Sequence, residues 1–144
     1  MLVLDTDHVT FLEWRKTSTE ALRLRARLDQ RVGKATVTTI ITYEEQCRGW
    51  MARIAHSRTL PKLVRSYHWL SEHIKVYQRL SVLGFDDVAA LKFQELRKAR
   101  VRIGTSDLKI AAVTLSLGST ATLLSRNLKD FEKVPGLRVE DWTV

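Results

Sequence analysis

The sequence holds one cysteine, Cys47. It cannot close an internal disulfide, and no Cys/His cluster suggests zinc. The four histidines, His8, His56, His68 and His73, lack the i, i+4 pairing of a helical zinc motif. Glycines number six and prolines two. No glycine-rich phosphate loop is present, and no Gly-x-Ser-x-Gly elbow supports Ser/His/Asp catalysis. No apolar run approaches the roughly 20 residues that a membrane span needs. The opening Met-Leu-Val-Leu-Asp reaches an acid too soon for a secretory signal, so a cytoplasmic protein with no membrane attachment is expected. Acid is the scarcer charge: 16 Asp and Glu stand against 24 Lys and Arg, giving a net charge of +8 and a pI near 10.0. That excess favours phosphate-rich partners such as RNA or DNA, although a basic solubilising surface gives the same numbers.

With 144 residues, 44% hydrophobic and 28% charged, the chain is sized for a single domain over 1–144 with a real core. Residues 1–4 read as a short buried strand, followed by a helix at 7–15. A Thr-Ser-Thr stretch at 17–19 precedes a helix over 20–32. There Ala21, Leu24, Leu28 and Val32 share a face, and Gly33 is the stop. Arg23, Arg27 and Arg31 line another face of that helix; a solvated face is the expectation and a phosphate track the alternative. Residues 35–41 are β-branched and begin as a strand, after which Thr42 opens a helix carrying Glu45 and Gly49. Over 60–80, Leu63, Tyr67, Leu70, Ile74 and Tyr77 form a seam at alternating spacings of four and three. Val82 and Leu83 are a strand candidate. Asp86 caps a helix to about 100, and Ser106 or Asp107 caps another to about 117, closed by Gly118. Strands follow at 121–125 and 137–139. This alternation predicts a parallel sheet covered on both sides. The seam and the helix at 86–100 are expected to form a hairpin beside the sheet, the seam serving as core packing or as an interface for a second copy or a partner.

In so basic a chain the acids beside apolar segments stand out. Carboxylates near a core are costly unless a cation compensates them. Asp5 follows the first strand with no spacer, and ligands of open parallel sheets bind beyond the carboxyl ends of the strands. Asp7 lies two residues on, and either acid is also suited to cap the helix that begins there. Glu45 shares a helix face with Ile41 and Gly49, whose small size leaves room for a metal or phosphate, while Glu44 points to solvent. Asp107 opens its helix above a buried stripe of Leu108, Ala111, Ala112 and Leu115. Ser125, Arg126 and Asn127 follow a strand and belong at the same edge; Asn127 offers a neutral oxygen, and Arg126 suits a phosphate. Asp130 and Glu132 read as exposed turn residues, and His8 as a surface residue. Hard cations such as Mg²⁺ or Mn²⁺ take oxygen ligands of this kind. Three carboxylates supply enough charge for one firmly held ion, with a second arriving alongside substrate phosphate.

Leu-Asp-Thr-Asp at 4–7, Thr-Tyr-Glu-Glu-Gln-Cys-Arg-Gly at 42–49, Ser-Asp-Leu-Lys-Ile-Ala-Ala at 106–112, Ser-Arg-Asn-Leu-Lys-Asp-Phe at 125–131 and the ending Pro-Gly-Leu-Arg-Val-Glu-Asp-Trp at 135–142 occur in one order. In that order and spacing the chain resembles the PIN-domain ribonucleases, and among them the VapC-type toxins of toxin–antitoxin pairs. The resemblance implies a three-layer α/β/α fold with a central parallel sheet. It implies Mg²⁺- or Mn²⁺-dependent endonuclease action on RNA, with Asp5, Glu45 and Asp107 at the family's metal-site positions. Asn127 falls where many relatives carry a fourth acid, and Asp7 where Asn is frequent. A homodimer, and a cognate antitoxin that blocks the acidic pocket, are further implications.

Two rival readings start from the same residues. Asp5-Thr-Asp7 after a strand resembles the first motif of haloacid-dehalogenase-type phosphatases, which would make Asp5 a nucleophile and Asp7 its acid/base, but would leave Glu45 and Asp107 unused. A catalytically inactive PIN-like RNA-binding module is the other; only Asn127 favours it.

Overall fold

The computed structural model describes residues 1–31 and 33–144. Val32, expected on the buried face of the second helix, lies outside the described residues. In chain order the elements are β1 (Leu2–Leu4), α1 (Thr6–Glu13), α2 (Thr19–Asp29), β2 (Thr36–Thr39), α3 (Ile40–Ala55), α4 (Leu60–Arg79), β3 (Val82–Leu83), α5 (Asp87–Lys98), α6 (Thr105–Ser116), β4 (Thr122–Leu124), α7 (Leu128–Phe131) and β5 (Val139–Glu140). The five strands form one wholly parallel sheet in the order β3-β2-β1-β4-β5.

Side-chain alternation divides the core into two layers. Val3 and Leu123 point into one, with Val37, Ile41, Leu108, Ile110, Ala111 and Phe131. Leu2, Leu4 and Leu124 point into the other, with Val9, Phe11, Ala21, Leu24 and Trp142. Strands covered on both faces need apolar residues at nearly every position, which β1 supplies throughout and β4 at Leu123 and Leu124. Full burial of each large side chain contributes roughly 1.5–3 kcal/mol. Thus α3, α5, α6 and α7 cover one face and α1 and α2 the other, giving the expected three-layer α/β/α arrangement.

Local signals set most helix starts. Ser18, Thr39, Thr59 and Asp86 accept hydrogen bonds from backbone N–H groups of the turns that follow them. Three expectations change. α2 ends at Asp29, ahead of Gly33, which sits in a later turn with φ +89°. α3 starts at Ile40, with Thr39 rather than Thr42 at its entrance. α6 is entered from Gly104 without a side-chain cap, so neither Ser106 nor Asp107 caps it.

The predicted α4–α5 hairpin does not form: α4 packs on α3, and α5 on α6. The buried face of α4 carries Ser66, His73 and Val76, whereas Tyr67 and Ile74 of the predicted seam are each 53% exposed. The arginine stripe on α2 is solvent-exposed, as expected of a solvated face, and part of it reaches the C-terminal segment. Arg27 Nη1 donates to the Asp141 carbonyl at 3.0 Å, and Arg27 and Arg31 lie over the Trp142 ring, pinning the C-terminal segment. Among the described residues no helix is long and apolar enough to cross a membrane.

Candidate active site

β1 has its neighbours β2 and β4 on opposite sides, so the chain leaves the sheet in different directions beyond their carboxyl ends, opening the kind of crevice in which parallel sheets hold ligands. A cavity of about 500 Å³ lies there, with Asp5, Asp7, Glu45 and Asp107 in its wall beside Arg15 and Arg126. Three separated segments supply these acids. Asp5 ends β1, Glu45 sits in the second turn of α3, and Asp107 lies in the first turn of α6.

Each acid is held by its own neighbour. Asp5 is buried; its Oδ1 accepts from the Thr6 N–H at 2.7 Å and its Oδ2 from Ser125 Oγ at 2.6 Å. Ser125 Oγ accepts in turn from the Asn127 N–H at 3.0 Å. Thr6 Oγ donates to Glu45 Oε2. Asn127 Nδ2 donates to Asp107 Oδ2 at 3.0 Å and to Asp130 Oδ2 at 3.3 Å. Asn127 thus supplies its amide nitrogen rather than its oxygen to the acidic group. Asp7 accepts from the Arg126 N–H at 2.9 Å and contacts His8 Nδ1 at 2.6 Å. Asp7 is therefore both a cavity residue and a brace between α1 and the segment after β4.

The electrostatics are those of uncompensated acid. Burial pushes the Asp5 carboxyl up to about 7, and the nearby Asp7 and Asp107 charges push the same way against the hydrogen bonds from Ser125 and Thr6. Burial also raises Asp107, with Glu45, Asp130 and Asp7 adding to it. Among the described residues, neither Asp5, Glu45 nor Asp107 forms an ion pair with Lys or Arg. Repelling carboxylates with no protein cation form a hard-oxygen donor set suited to a divalent ion. The structure brings all three to one cavity but not into one ligand sphere: among the described residues, no three His, Cys, Asp or Glu side chains stand together as a metal-holding group. Thr6, Ser125 and Asn127 occupy their oxygens instead.

Other expectations are corrected here. His8 is wholly buried, and its Nε2 accepts from the Trp142 N–H at 3.3 Å. It joins α1 to the C-terminal segment, and its Nδ1 contacts Asp7, which lines the cavity. Gly49 does not border the acidic cavity; it lies on a second cavity farther along α3. Asp130 is not a bare turn residue, because Asn127 ties it to Asp107, and Lys133 holds its carboxyl below the usual range. Glu44 pairs with Arg48 at 2.6 Å, directed away from the site as expected. Thr6 and the Ser125 hydroxyl hold roles that charge and periodicity do not reveal. Their signal was position alone, each following a strand end by at most two residues. A larger depression of about 860 Å³ along α5 is bordered by Leu91, Phe93, Gln94 and Arg97 and gathers no carboxylates beyond Asp87.

No family model matches the chain. A ribonuclease VapC2 of Haemophilus influenzae is 31% identical over 144 residues, covering 97% of this chain and 96% of that protein. A tRNA(fMet)-specific endonuclease VapC of Salmonella typhimurium is 38% identical over 68 residues, which is 44% of this chain and 50% of that relative. Among solved structures, DNA-bound VapBC from Salmonella typhimurium matches with a TM-score of 0.68 and 26% identity, covering 98% of this chain and 97% of that one.

Proposed function

Because the chain belongs to the VapC ribonuclease family, we propose that it is the toxin of a toxin–antitoxin pair, a cytoplasmic endoribonuclease that hydrolyses RNA phosphodiesters with the help of Mg²⁺ or Mn²⁺. The observation that carries this reading is the convergence of Asp5, Glu45 and Asp107, from three separate segments, on one cavity bordered by arginines.

Asp5, Glu45 and Asp107 are the residues that would hold the ion, each turning from its present partner to do so. A divalent ion bound by them supplies positive charge for the phosphoryl oxygens and lowers the pKa of a water. The chain's own groups do the rest. Ser125 and the Thr6 N–H fix the orientation of Asp5, and Asn127 fixes Asp107. Arg15 and Arg126 both lie over the Phe11 ring, 5.9 and 5.4 Å from its centroid. There they are placed to receive the RNA backbone. The net charge of +8 favours approach of a polyanion to the rest of the surface.

The phosphatase alternative gains nothing from this geometry. Asp7, which would have to act as acid/base, is engaged by His8 and the Arg126 N–H, while Glu45 and Asp107 border the same cavity unused. The retention of all three acids, lining one cavity, argues against the inactive-module alternative. For partners, Leu60, Val64, Tyr67 and Ile74 leave α4 with an exposed apolar face, which suits an antitoxin segment; homodimerisation belongs to the same proposal.

The test is cleavage of mixed cellular RNA. Wild type with Mg²⁺ or Mn²⁺ should cut, chelator should stop it, and Asp107→Asn should lower the rate by roughly 10³-fold with unchanged circular dichroism. Cleavage that persists in chelator, or in a folded Asp107→Asn protein, refutes the proposal.

A further inference from the structure

A second cavity, of about 410 Å³, adjoins the acidic one and shares Thr10 and Arg15 with it. Its walls are aromatic and cationic: Trp14, Trp50 and Trp69 with Arg15 and Arg53. The rings of Trp14 and Trp50 lie 4.9 Å apart and those of Trp14 and Trp69 5.6 Å apart. Arg53 stands over Trp50 at 5.2 Å. Three of the chain's four tryptophans are thus gathered at one place beside the acids. Among the described residues, the buried Nε1 atoms of Trp14 and Trp50 have no hydrogen-bond partner, so the cluster is not held together by its indole donors. Gln46, also in the wall, has its oxygen taken by Tyr77 and gives one N–H to Thr10. Its second N–H remains as a donor.

We propose that this cavity is a base-binding subsite, taking one unstacked nucleobase of single-stranded RNA next to the phosphodiester that is cut. The proposal rests on the endoribonuclease reading of the adjoining acids. Every base has a face that stacks on indole, and arginines at both ends of the cavity match the phosphates that flank a nucleotide. Arg15 lies at the boundary between the two cavities, where the backbone linking base and scissile bond would pass. An apolar peptide would use the rings but would leave Arg15, Arg53 and the free amide donor unmatched, so the charge pattern favours the nucleotide.

Gly49 offers a direct test. It borders this cavity, and a Cβ built there meets nothing within 4 Å. Gly49→Leu therefore adds bulk at the border of the cavity from a Cβ that meets no protein atom, at an interior helical position where losing glycine favours the helix. Intrinsic tryptophan fluorescence is the readout, in Asp107→Asn protein so that RNA stays intact. Titration with a short single-stranded oligoribonucleotide should quench the emission. Adding Gly49→Leu should raise the half-saturating concentration about tenfold. Duplex RNA of the same sequence should quench far less. In cleavage-competent protein, Gly49→Leu should raise KM for single-stranded RNA much more than it lowers kcat. Quenching unaffected by Gly49→Leu, or quenching by an aromatic peptide but not by RNA, overturns the subsite. If wild type cleaves RNA while no quenching occurs, the subsite fails and the nuclease reading stands. Quenching by single-stranded RNA in a protein that never cleaves leaves base binding in place and removes the nuclease.

Discussion

Replacing Asp5 by Asn should abolish cleavage and yet stabilise the metal-free protein at alkaline pH. The reasoning starts from its carboxyl, pushed up to about 7 from an ordinary 3.8, chiefly by burial. Below pH 3.8 this group is protonated in both the folded and the unfolded chain. Between 3.8 and about 7 the folded chain keeps a proton that the unfolded chain has released. Stability from this group therefore falls as pH rises through the interval and is fully lost above it. At about 1.4 kcal/mol per pH unit, the interval is worth roughly 4 kcal/mol. Asn cannot ionise, so the variant escapes that loss. It also replaces one acceptor facing Thr6 or Ser125 with an NH₂ group, which takes back about 1–2 kcal/mol. The net expectation at pH 8 is a gain of roughly 2–3 kcal/mol, a rise in Tm on the order of 5–10 °C.

Thermal unfolding by circular dichroism from pH 5 to 8.5 in EDTA measures this directly. His73 titrates in the same range with the opposite effect. Its pKa is lowered by burial, so its contribution is lost as pH falls through the region below 6.5 and regained as pH rises. Both proteins carry His73, so its contribution cancels in the difference between their curves, leaving Asp5 and the acids coupled to it. The advantage of Asp5→Asn should grow with pH and level off above about 7, the pKa raised by burial. Mg²⁺ at 100 times its Kd should then stabilise wild type by about 2.7 kcal/mol and the variant by much less. An Asp5→Asn protein no more stable than wild type at pH 8 in EDTA, with a pH-independent difference, would refute the claim that uncompensated acid strains this site.

Two further outcomes follow from neighbouring contacts. Asn127→Asp replaces the amide donor that holds Asp107 Oδ2 with a third carboxylate facing Asp107 and Asp130. It should destabilise the metal-free protein by about 1–3 kcal/mol and raise the Mg²⁺ dependence of its melting temperature, read by calorimetry with and without the ion. Tyr67→Ser and Ile74→Ser change residues that are each 53% exposed, so stability should stay within about 0.5 kcal/mol. Affinity for the cognate antitoxin, measured by titration calorimetry, should drop at least about tenfold; unaltered affinity would move the antitoxin to another face.

The sheet edge was the legible part of this molecule, and the reason is geometric. Asp5 and Ser125 follow apolar runs too short and too apolar to be anything but buried strands, so their place beyond the carboxyl ends is dictated by parallel pairing. Glu45 could be chosen over Glu44 because adjacent helical side chains diverge by about 100°, and Arg48 does draw Glu44 outward. What periodicity could not supply was partnership across the fold. On α4 the apolar spacing pointed to Tyr67 and Ile74 as the inner face. The buried positions instead include Ser66 and His73, because Ser57 meets Ser66 at 2.8 Å and Cys47 meets His73 at 3.4 Å. A polar residue becomes a core residue once its partner is present, and spacing along one helix says nothing of that partner. His8 follows the same rule, buried against Trp142 from more than a hundred residues away. The acids invert it. Asp5 and Asp107 are conspicuous in the sequence because they adjoin apolar segments, and among the described residues neither forms an ion pair with Lys or Arg. That lack of a Lys or Arg partner is what distinguishes these acids from Glu44 and Asp130, whose charges find an arginine and a lysine.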